Sequence, residues 1–186
     1  DKYIRNKINL FDNSAAGKYN FPNPHGGGTA YMNSVDKNGL GISLIQSNFH
    51  GIGSRIGVGS FGFFLHNRGC GFNLIKGHPN SLGPNKKPLH TLSPTIWSKD
   101  GSLDFITGTR GGRYQPQLLA QTILPYILGV SSFEETMKKP RWVIDNFGSN
   151  STSKIKFEFI EKSERISLEN KGHKIAVANK LIGAYG

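Results

Sequence analysis

The alternation of side chains on both sides of a DKNG segment is the feature that most limits how this chain can fold. TAYMNSV, which begins at Thr29, and LGISLIQS, which ends at Ser47, alternate apolar or β-branched residues with polar ones. Such alternation around an Asn-Gly turn is typical of a β-hairpin. A second hairpin is predicted where TLSPTIWS and LDFITGT flank KDGS. Between the two hairpins, the glycine-flanked block FGFFL predicts a buried strand.

The pattern becomes helical in the second half of the chain. Apolar residues recur four apart over residues 115–128, which predicts a helix with one buried face that Pro125 kinks or interrupts. Ser132 and Glu135 form a capping-box pattern, so SFEETMKK is expected to be a short helix ended by Pro140. A strand at KIKFEFI, a helix at SERISLENK and the apolar stretch KIAVA follow. This order of elements predicts an α+β domain.

The composition excludes several classes of protein. A length of 186 residues fits one globular domain. The single cysteine, Cys70, can form neither an internal disulfide nor a cysteine-based zinc site. No apolar run approaches the roughly 20 residues that span a bilayer. The six histidines lack metal-ligand spacing, and the G-x-G-x-x-G pattern of residues 57–62 does not open a helix. We therefore expect no membrane span, no metal and no cofactor.

The net charge of +11 first indicates an anionic partner such as nucleic acid. The lysines and arginines occur in small groups, without a long run and without interleaved aromatic residues of a base-stacking motif. A solvated basic surface is the simpler interpretation, and no nucleic-acid partner is expected.

The junction HGGG–TAY, at residues 25–31, is the main candidate for chemistry. A threonine after a glycine run is usually only the first residue of a strand. If the Gly28–Thr29 bond is cut, however, the Thr29 hydroxyl becomes a nucleophile whose own α-amino group, with a pKa of about 7.7 to 8.0, can take its proton. Downstream, Gly111 and Gly112 lie in a strand-to-helix turn where backbone N–H groups could face an oxyanion.

Five segments in order resemble one known family. They are HGGGTAYMNSVDKNGLGISLIQS, GFFLHNRG, HPNSLGPNKKPLHTLSPTI, GTRGG and KKPRW. Together they are similar to the gamma-glutamyltranspeptidase family of N-terminal nucleophile (Ntn) hydrolases. The resemblance implies a precursor that cleaves itself before a threonine into a large and a small subunit, which form an αββα four-layer sandwich. Residues 1–28 would then be the end of the large subunit, and residues 29–186 a small subunit truncated at its C-terminus.

The resemblance also implies roles for individual residues. Thr29 matches the nucleophile that attacks the γ-glutamyl amide, and the Gly28–Thr29 bond matches the autocleavage site. Ser47 stands where the family has a second threonine near the nucleophile's amino group. Gly111 and Gly112 match the oxyanion-hole pair. The positions that match substrate-binding residues, including the NRG segment, are Phe49, Asn67, Arg68, Gly71, His90 and Thr91.

Several of these substrate-binding positions depart from the family pattern. Phe49 replaces an asparagine, Arg68 a glutamine and Gly71 an aspartate, and His90 lacks the hydroxyl that Thr91 retains. Without a carboxylate at position 71, the ammonium of a γ-glutamyl group loses its charged partner. Arg68 could bind a substrate carboxylate or could equally be a structural ion-pair residue. The resemblance is closest to a divergent gamma-glutamyltransferase-like branch.

Three functional hypotheses remain. The first is an autoprocessing enzyme that cleaves γ-glutamyl or related amides through an acyl-enzyme on Thr29 and passes the acyl group to water or an amine. Its partners would be the large subunit of the same precursor and a small amide substrate. The second is a catalytically impaired relative that serves in binding or assembly, and the third a basic module that binds polyanions.

Overall fold

The computed structural model describes residues 28–145 and 154–185. The first predicted hairpin is confirmed: strands β1 (Thr29–Val35) and β2 (Gly41–Ser47) pair antiparallel, with Thr29 opposite Ser47. The Asp36 carboxylate accepts hydrogen bonds from two backbone N–H groups within the turn, at 2.8 and 2.9 Å. This Asx-type turn fixes the hairpin register and therefore the pairing at its open end.

The second predicted hairpin is also confirmed. Strands β3 (Thr95–Lys99) and β4 (Ser102–Thr107) pair antiparallel. Asp100 and Gly101, at their turn, have φ values of +51° and +78°, as a type I′ turn requires. The two hairpins lie side by side: a Cβ atom on Gly41 would come within 2.6 Å of Ile106 Cδ1, so a side chain at this position would require Ile106 to shift.

Two of the predicted helices follow strand β5 (Thr109–Arg110). They are α1 (Gln115–Ile127) and α2 (Phe133–Lys138). Helix α1 buries Leu118, Leu119 and Ile123, but its last residue, Ile127, is half exposed. The predicted interruption at Pro125 is wrong, because the helix continues through this proline for two more residues. Helix α2 begins with the predicted capping box.

The C-terminal strands form a three-stranded sheet that contacts helix α1. Strand β7 (Lys154–Phe157) pairs antiparallel with β6 (Trp142–Asp145) and parallel with β8 (Lys174–Val177), and helix α3 (Lys162–Asn170) connects β7 to β8. Strand β9 (Ala184–Tyr185) returns to pair with β5. Leu118, Val143 and Ile182 form a buried cluster between these parts.

The predicted strand at FGFFL is wrong. Residues 57–65 form a loop with one 3₁₀ turn (Gly59–Phe61) and a single bridge between Gly57 and Phe64. Positive φ values at Gly59 and Gly62 break the extended conformation. The aromatic side chains are exposed, with 78% of Phe61 accessible. The apolar run is therefore neither a strand nor buried.

The mixture of helices and strands confirms the α+β class. Apart from Gly28, the predicted linker at residues 1–28 lies outside the described residues.

Candidate active site

Thr29 and Ser47 face each other at the open end of the first hairpin. They are direct cross-strand partners, so their side chains lie on the same face of the hairpin. Tyr31 and Ser43 follow on this face and share a hydrogen bond of 3.1 Å between their hydroxyl groups. Thr29 is partly exposed, and Gly28 before it is exposed. The pairing of the two predicted hydroxyl residues thus follows from the register of the hairpin.

A tight turn after Ser47 positions the next residues. The Ser47 hydroxyl accepts a hydrogen bond from the Phe49 N–H group at 3.1 Å, and Phe49 has φ of +79°. The Asn67 side-chain oxygen accepts from the His50 N–H group at 3.0 Å. The Asn67 side chain therefore braces this turn, and a left-handed conformation at a phenylalanine needs such support.

Arg68 joins three of the predicted site residues. Its side chain is buried, with 6% of the residue exposed. Its Nη1 donates to Thr91 Oγ1 and its Nη2 to the carbonyl oxygen of Ser47, both at 3.1 Å, and its guanidinium carbon lies 5.5 Å from the Phe49 ring centre. Burial lowers the pKa of Arg68, because desolvation disfavours the charged form. A cation is thus held next to the residue that faces Thr29.

Gly71 lies in the same 3₁₀ turn as Arg68 (Arg68–Gly71) and is buried. Asn80, which the sequence reasoning missed, braces it: its side-chain nitrogen donates to the Gly71 carbonyl at 2.6 Å, while its oxygen accepts from the Leu89 N–H at 3.0 Å. His90 follows with an exposed side chain. The only sequence signal at Asn80 is an amide side chain within a Pro/Gly-rich loop.

The predicted glycine turn, Gly111–Gly112, connects β5 to helix α1. Gly111 has φ of +143° and Gly112 φ of +55°, and a 3₁₀ turn (Gly112–Tyr114) precedes the helix. Strand β5 lies beside β1. A Cβ atom at Gly108 would come within 2.2 Å of the Tyr31 ring, so glycine is required for this contact. The turn therefore combines a helix N-terminus with backbone N–H groups near the strand that Thr29 begins.

Gln115, at the start of α1, was also missed by sequence reasoning. It is fully buried, and its side-chain oxygen accepts from the Ser93 N–H at 2.9 Å. This bond ties the helix that follows the glycine turn to the segment that carries Thr91. A polar residue at the start of a helix is ordinarily exposed to solvent in the first turn. The sequence therefore contained no signal of this contact.

The two glycines of the turn differ in what a side chain would meet. We expect Gly111→Ala to destabilise the protein by about 3 kcal/mol, because φ of +143° is strained for alanine and its Cβ would lie 3.0 Å from Leu118 Cδ1. Gly112→Ala, with φ of +55° and open space around the Cβ, should cost only about 1 kcal/mol. Chemical denaturation of the full-length variants measures both; equal losses would contradict this assignment.

Two further observations concern the described residues. Within 28–145 and 154–185, no three His, Cys, Asp or Glu side chains come together as a possible metal site. None of the helices in this part of the chain has the length and apolar character needed to cross a membrane.

Comparison with known proteins places this geometry in a family. Residues 2–185 match the model of the family described as gamma-glutamyltranspeptidase. The oxamate amidohydrolase proenzyme of Klebsiella pneumoniae is 35% identical over 140 residues, which cover 73% of this chain and 26% of that protein. The glutathione hydrolase-like YwrD proenzyme of Bacillus subtilis is 33% identical over 156 residues, covering 83% and 30%. The chain thus spans less than a third of the length of these curated relatives.

Solved structures of related proteins have a similar fold. Cephalosporin acylase from Bacillus halodurans aligns with a TM-score of 0.72 and 28% identity over 83% of this chain and 28% of that one. Gamma-glutamyltranspeptidase from Pseudomonas nitroreducens aligns with a TM-score of 0.71, at 20% identity, over 83% of this chain and 86% of that one, which supports the fold. The sequence resemblance predicted a family of gamma-glutamyltransferase and glutathione hydrolase enzymes, and this prediction is confirmed. The chain belongs to the gamma-glutamyltranspeptidase family.

Proposed function

We propose that this chain carries the catalytic half of an autoprocessing amidohydrolase or acyltransferase with Thr29 as its N-terminal nucleophile. The observation that carries the proposal is the pairing of Thr29 with Ser47 at the open end of the hairpin, next to buried Arg68. Strand β1 begins at Thr29, and pairing with β2 holds this residue in place. Cleavage of the Gly28–Thr29 bond would therefore leave a free α-amino group beside a positioned hydroxyl.

Autoprocessing and turnover then use the same atoms. In processing, Thr29 Oγ attacks the Gly28 carbonyl carbon, and the acyl group shifts from nitrogen to oxygen, which frees the Thr29 amino group. Water then hydrolyses the ester to the Gly28 carboxylate and the Thr29 hydroxyl. In turnover, Thr29 Oγ attacks the substrate amide carbon while its proton passes to the α-amino group. That proton leaves with the departing amine, and water or another amine then takes the acyl group from the ester.

The remaining site residues support these steps. The Gly111 and Gly112 N–H groups would stabilise the oxyanion, assisted by the helix N-terminus. The Ser47 hydroxyl accepts from the Phe49 N–H and keeps its own proton to donate toward the Thr29 amino group. The substrate would lie against the surface formed by Phe49, Asn67, Arg68, Gly71, His90 and Thr91.

The proposal includes a partner and the complete fold. Residues 1–28 would end the large subunit, and both subunits would build the αββα sandwich. Two observations support this: the matched part of this chain covers less than a third of each named proenzyme, and the outer face of the first hairpin exposes apolar side chains. Met32, Ile42 and Leu44 are 45 to 59% exposed on that face. Covering such a face is what the second sheet or helix layer of a sandwich does.

Expression of the complete precursor tests the proposal. We expect mass spectrometry to find a new N-terminus at Thr29, and the processed protein to release amine from a γ-glutamyl amide or from oxamate, the amide in the name of the Klebsiella relative. An intact precursor with no N-terminus at Thr29 would contradict the proposal. A processed protein that turns over no amide would instead favour the impaired binding protein suggested by Phe49 and Gly71.

A further inference from the structure

The charge of Arg68 has no counter-charge among the described residues. Its two hydrogen-bond partners, Thr91 Oγ1 and the Ser47 carbonyl, are neutral, and no described Asp or Glu lies within ion-pair distance. A guanidinium carries five N–H donors, and these two bonds use only part of that capacity. Buried cations are ordinarily paired with an anion, so this arrangement indicates an anionic ligand.

The sequence around Arg68 also lacks negatively charged residues. Residues 37–99, which include strand β2, the Ser47 turn, Arg68, Gly71 and Thr91, contain no Asp or Glu. Gly71, one 3₁₀ turn after Arg68, adds no side chain. This part of the chain therefore offers a carboxylate a charged donor but offers an ammonium group no charged acceptor.

We propose that Arg68 selects acyl substrates that carry a carboxylate and lack an ammonium group next to it. This inference rests on the proposed function, since it names the substrate class of that site. The guanidinium donates to the Ser47 carbonyl, and Ser47 faces Thr29, so a carboxylate on Arg68 belongs to a short acyl group whose amide carbon reaches the Thr29 hydroxyl. Phe49, whose ring centre lies 5.5 Å from the guanidinium carbon, would then contact the apolar part of the acyl group.

A matched pair of ligands isolates the ammonium group. Glutarate and L-glutamate have the same carbon chain and differ only at the α-amino group. Calorimetry on the purified full-length protein, in the state in which it is isolated, should give tighter binding of glutarate by on the order of 10- to 100-fold, because only L-glutamate brings an ammonium group next to the Arg68 cation without a charged acceptor for it. Oxamate, a shorter carboxylate without an ammonium group, is the third ligand and should also bind more tightly than L-glutamate.

Variants assign the preference to Arg68. Arg68→Gln should weaken glutarate binding by a similar factor while changing L-glutamate binding little. Gly71→Asp gives a second route that leaves the Arg68 hydrogen bonds in place. A Cβ atom at Gly71 has only ordinary contacts, the closest at 3.8 Å, and side chains three residues apart in a 3₁₀ turn lie one above the other. The new carboxylate should therefore pair with Arg68 and displace the ligand's.

Gly71→Asn is the matched control for size. It fills the same space without a charge, so it should weaken glutarate binding less than Gly71→Asp does. The double variant Arg68→Gln/Gly71→Asp reverses the charge of the site and should bind L-glutamate more tightly than glutarate. Thermal unfolding of each variant identifies any that fail to fold.

Each outcome decides the inference. Preference for glutarate that is lost in Arg68→Gln or in Gly71→Asp supports it. Equal or tighter binding of L-glutamate by the wild-type protein overturns it, as does binding of neither compound nor oxamate, or unchanged glutarate binding in both variants. If glutarate binds through Arg68 but no amide is turned over, the proposed function fails while the assignment of Arg68 stands.

Discussion

The Thr29→Ala variant of the full-length protein should remain a single uncleaved chain and lose amide turnover by roughly 10⁴-fold or more. The loss is large because one hydroxyl serves as nucleophile in both processing and turnover. In the variant, Gly28 also stays attached, so the amino group that should act as base remains an amide. Electrophoresis reports the first effect, and release of amine from an activated amide reports the second.

Two further variants separate chemistry from folding. Thr29→Ser keeps the hydroxyl and should still cleave and turn over, more slowly because the methyl group no longer restricts the side-chain rotamer. Ser47→Ala removes the hydroxyl opposite Thr29 but leaves the backbone pairing of the hairpin, so it should lower turnover without preventing folding. Cleavage before residue 29 in Thr29→Ala at the wild-type rate would overturn the assignment of the nucleophile.

Local patterns predicted the elements of this fold well. The DKNG and KDGS turns, the capping box of α2 and the four-residue period of α1 all act over a few neighbouring residues, and the structure has each of them. The FGFFL block failed because apolar character alone does not distinguish a buried strand from an exposed loop, and its glycines adopt positive φ.

The contacts that build the candidate site act over longer distances. The Thr29–Ser47 pairing follows from the hairpin register and was accessible from the sequence. The bonds of Arg68 to Thr91, 23 residues away, and of Gln115 to Ser93, 22 residues away, depend on how loops pack together. No periodicity specifies such contacts, so the sequence left Arg68 open between a ligand-binding and an ion-pair role.

Glu158 is another long-range contact that the sequence did not reveal. It follows strand β7, and its carboxylate lies 2.7 Å from Arg141 Nη2, with both side chains about nine-tenths buried. It also accepts from the N–H groups of Arg141 and Ile182. Ile182 belongs to the buried cluster. A Cβ atom on the next residue, Gly183, would come within 2.6 Å of the Arg110 carbonyl oxygen, so this glycine lies close to the residue before the glycine turn. Glu158 therefore connects the C-terminal sheet to the segment that supports Gly111.

Glu158→Gln should lower the free energy of unfolding by about 3 to 5 kcal/mol, because it removes the negative charge of a buried ion pair and keeps the Arg141 cation in the interior. Glu134→Gln is the matched control: Glu134 also contacts a cation, Lys138, at 2.6 Å, but both side chains are more than 70% exposed. That exposed pair should contribute at most about 1 kcal/mol. Denaturant unfolding of the full-length variants at neutral pH measures the difference between them.

The pH dependence of this difference tests its electrostatic origin. Burial alone would raise the pKa of Glu158, but the hydrogen bonds from Arg141 and Ile182 and the charge of Arg141 outweigh burial and lower it. A carboxyl whose pKa is lower in the folded than in the unfolded protein stabilises fully above the unfolded value, about 4.3, and loses that effect as pH falls through the folded value. Wild type and Glu158→Gln should therefore converge in stability below about pH 4. A difference that stays constant down to pH 3 would mean that Glu158 stabilises by packing alone, because protonation would then leave its contribution unchanged.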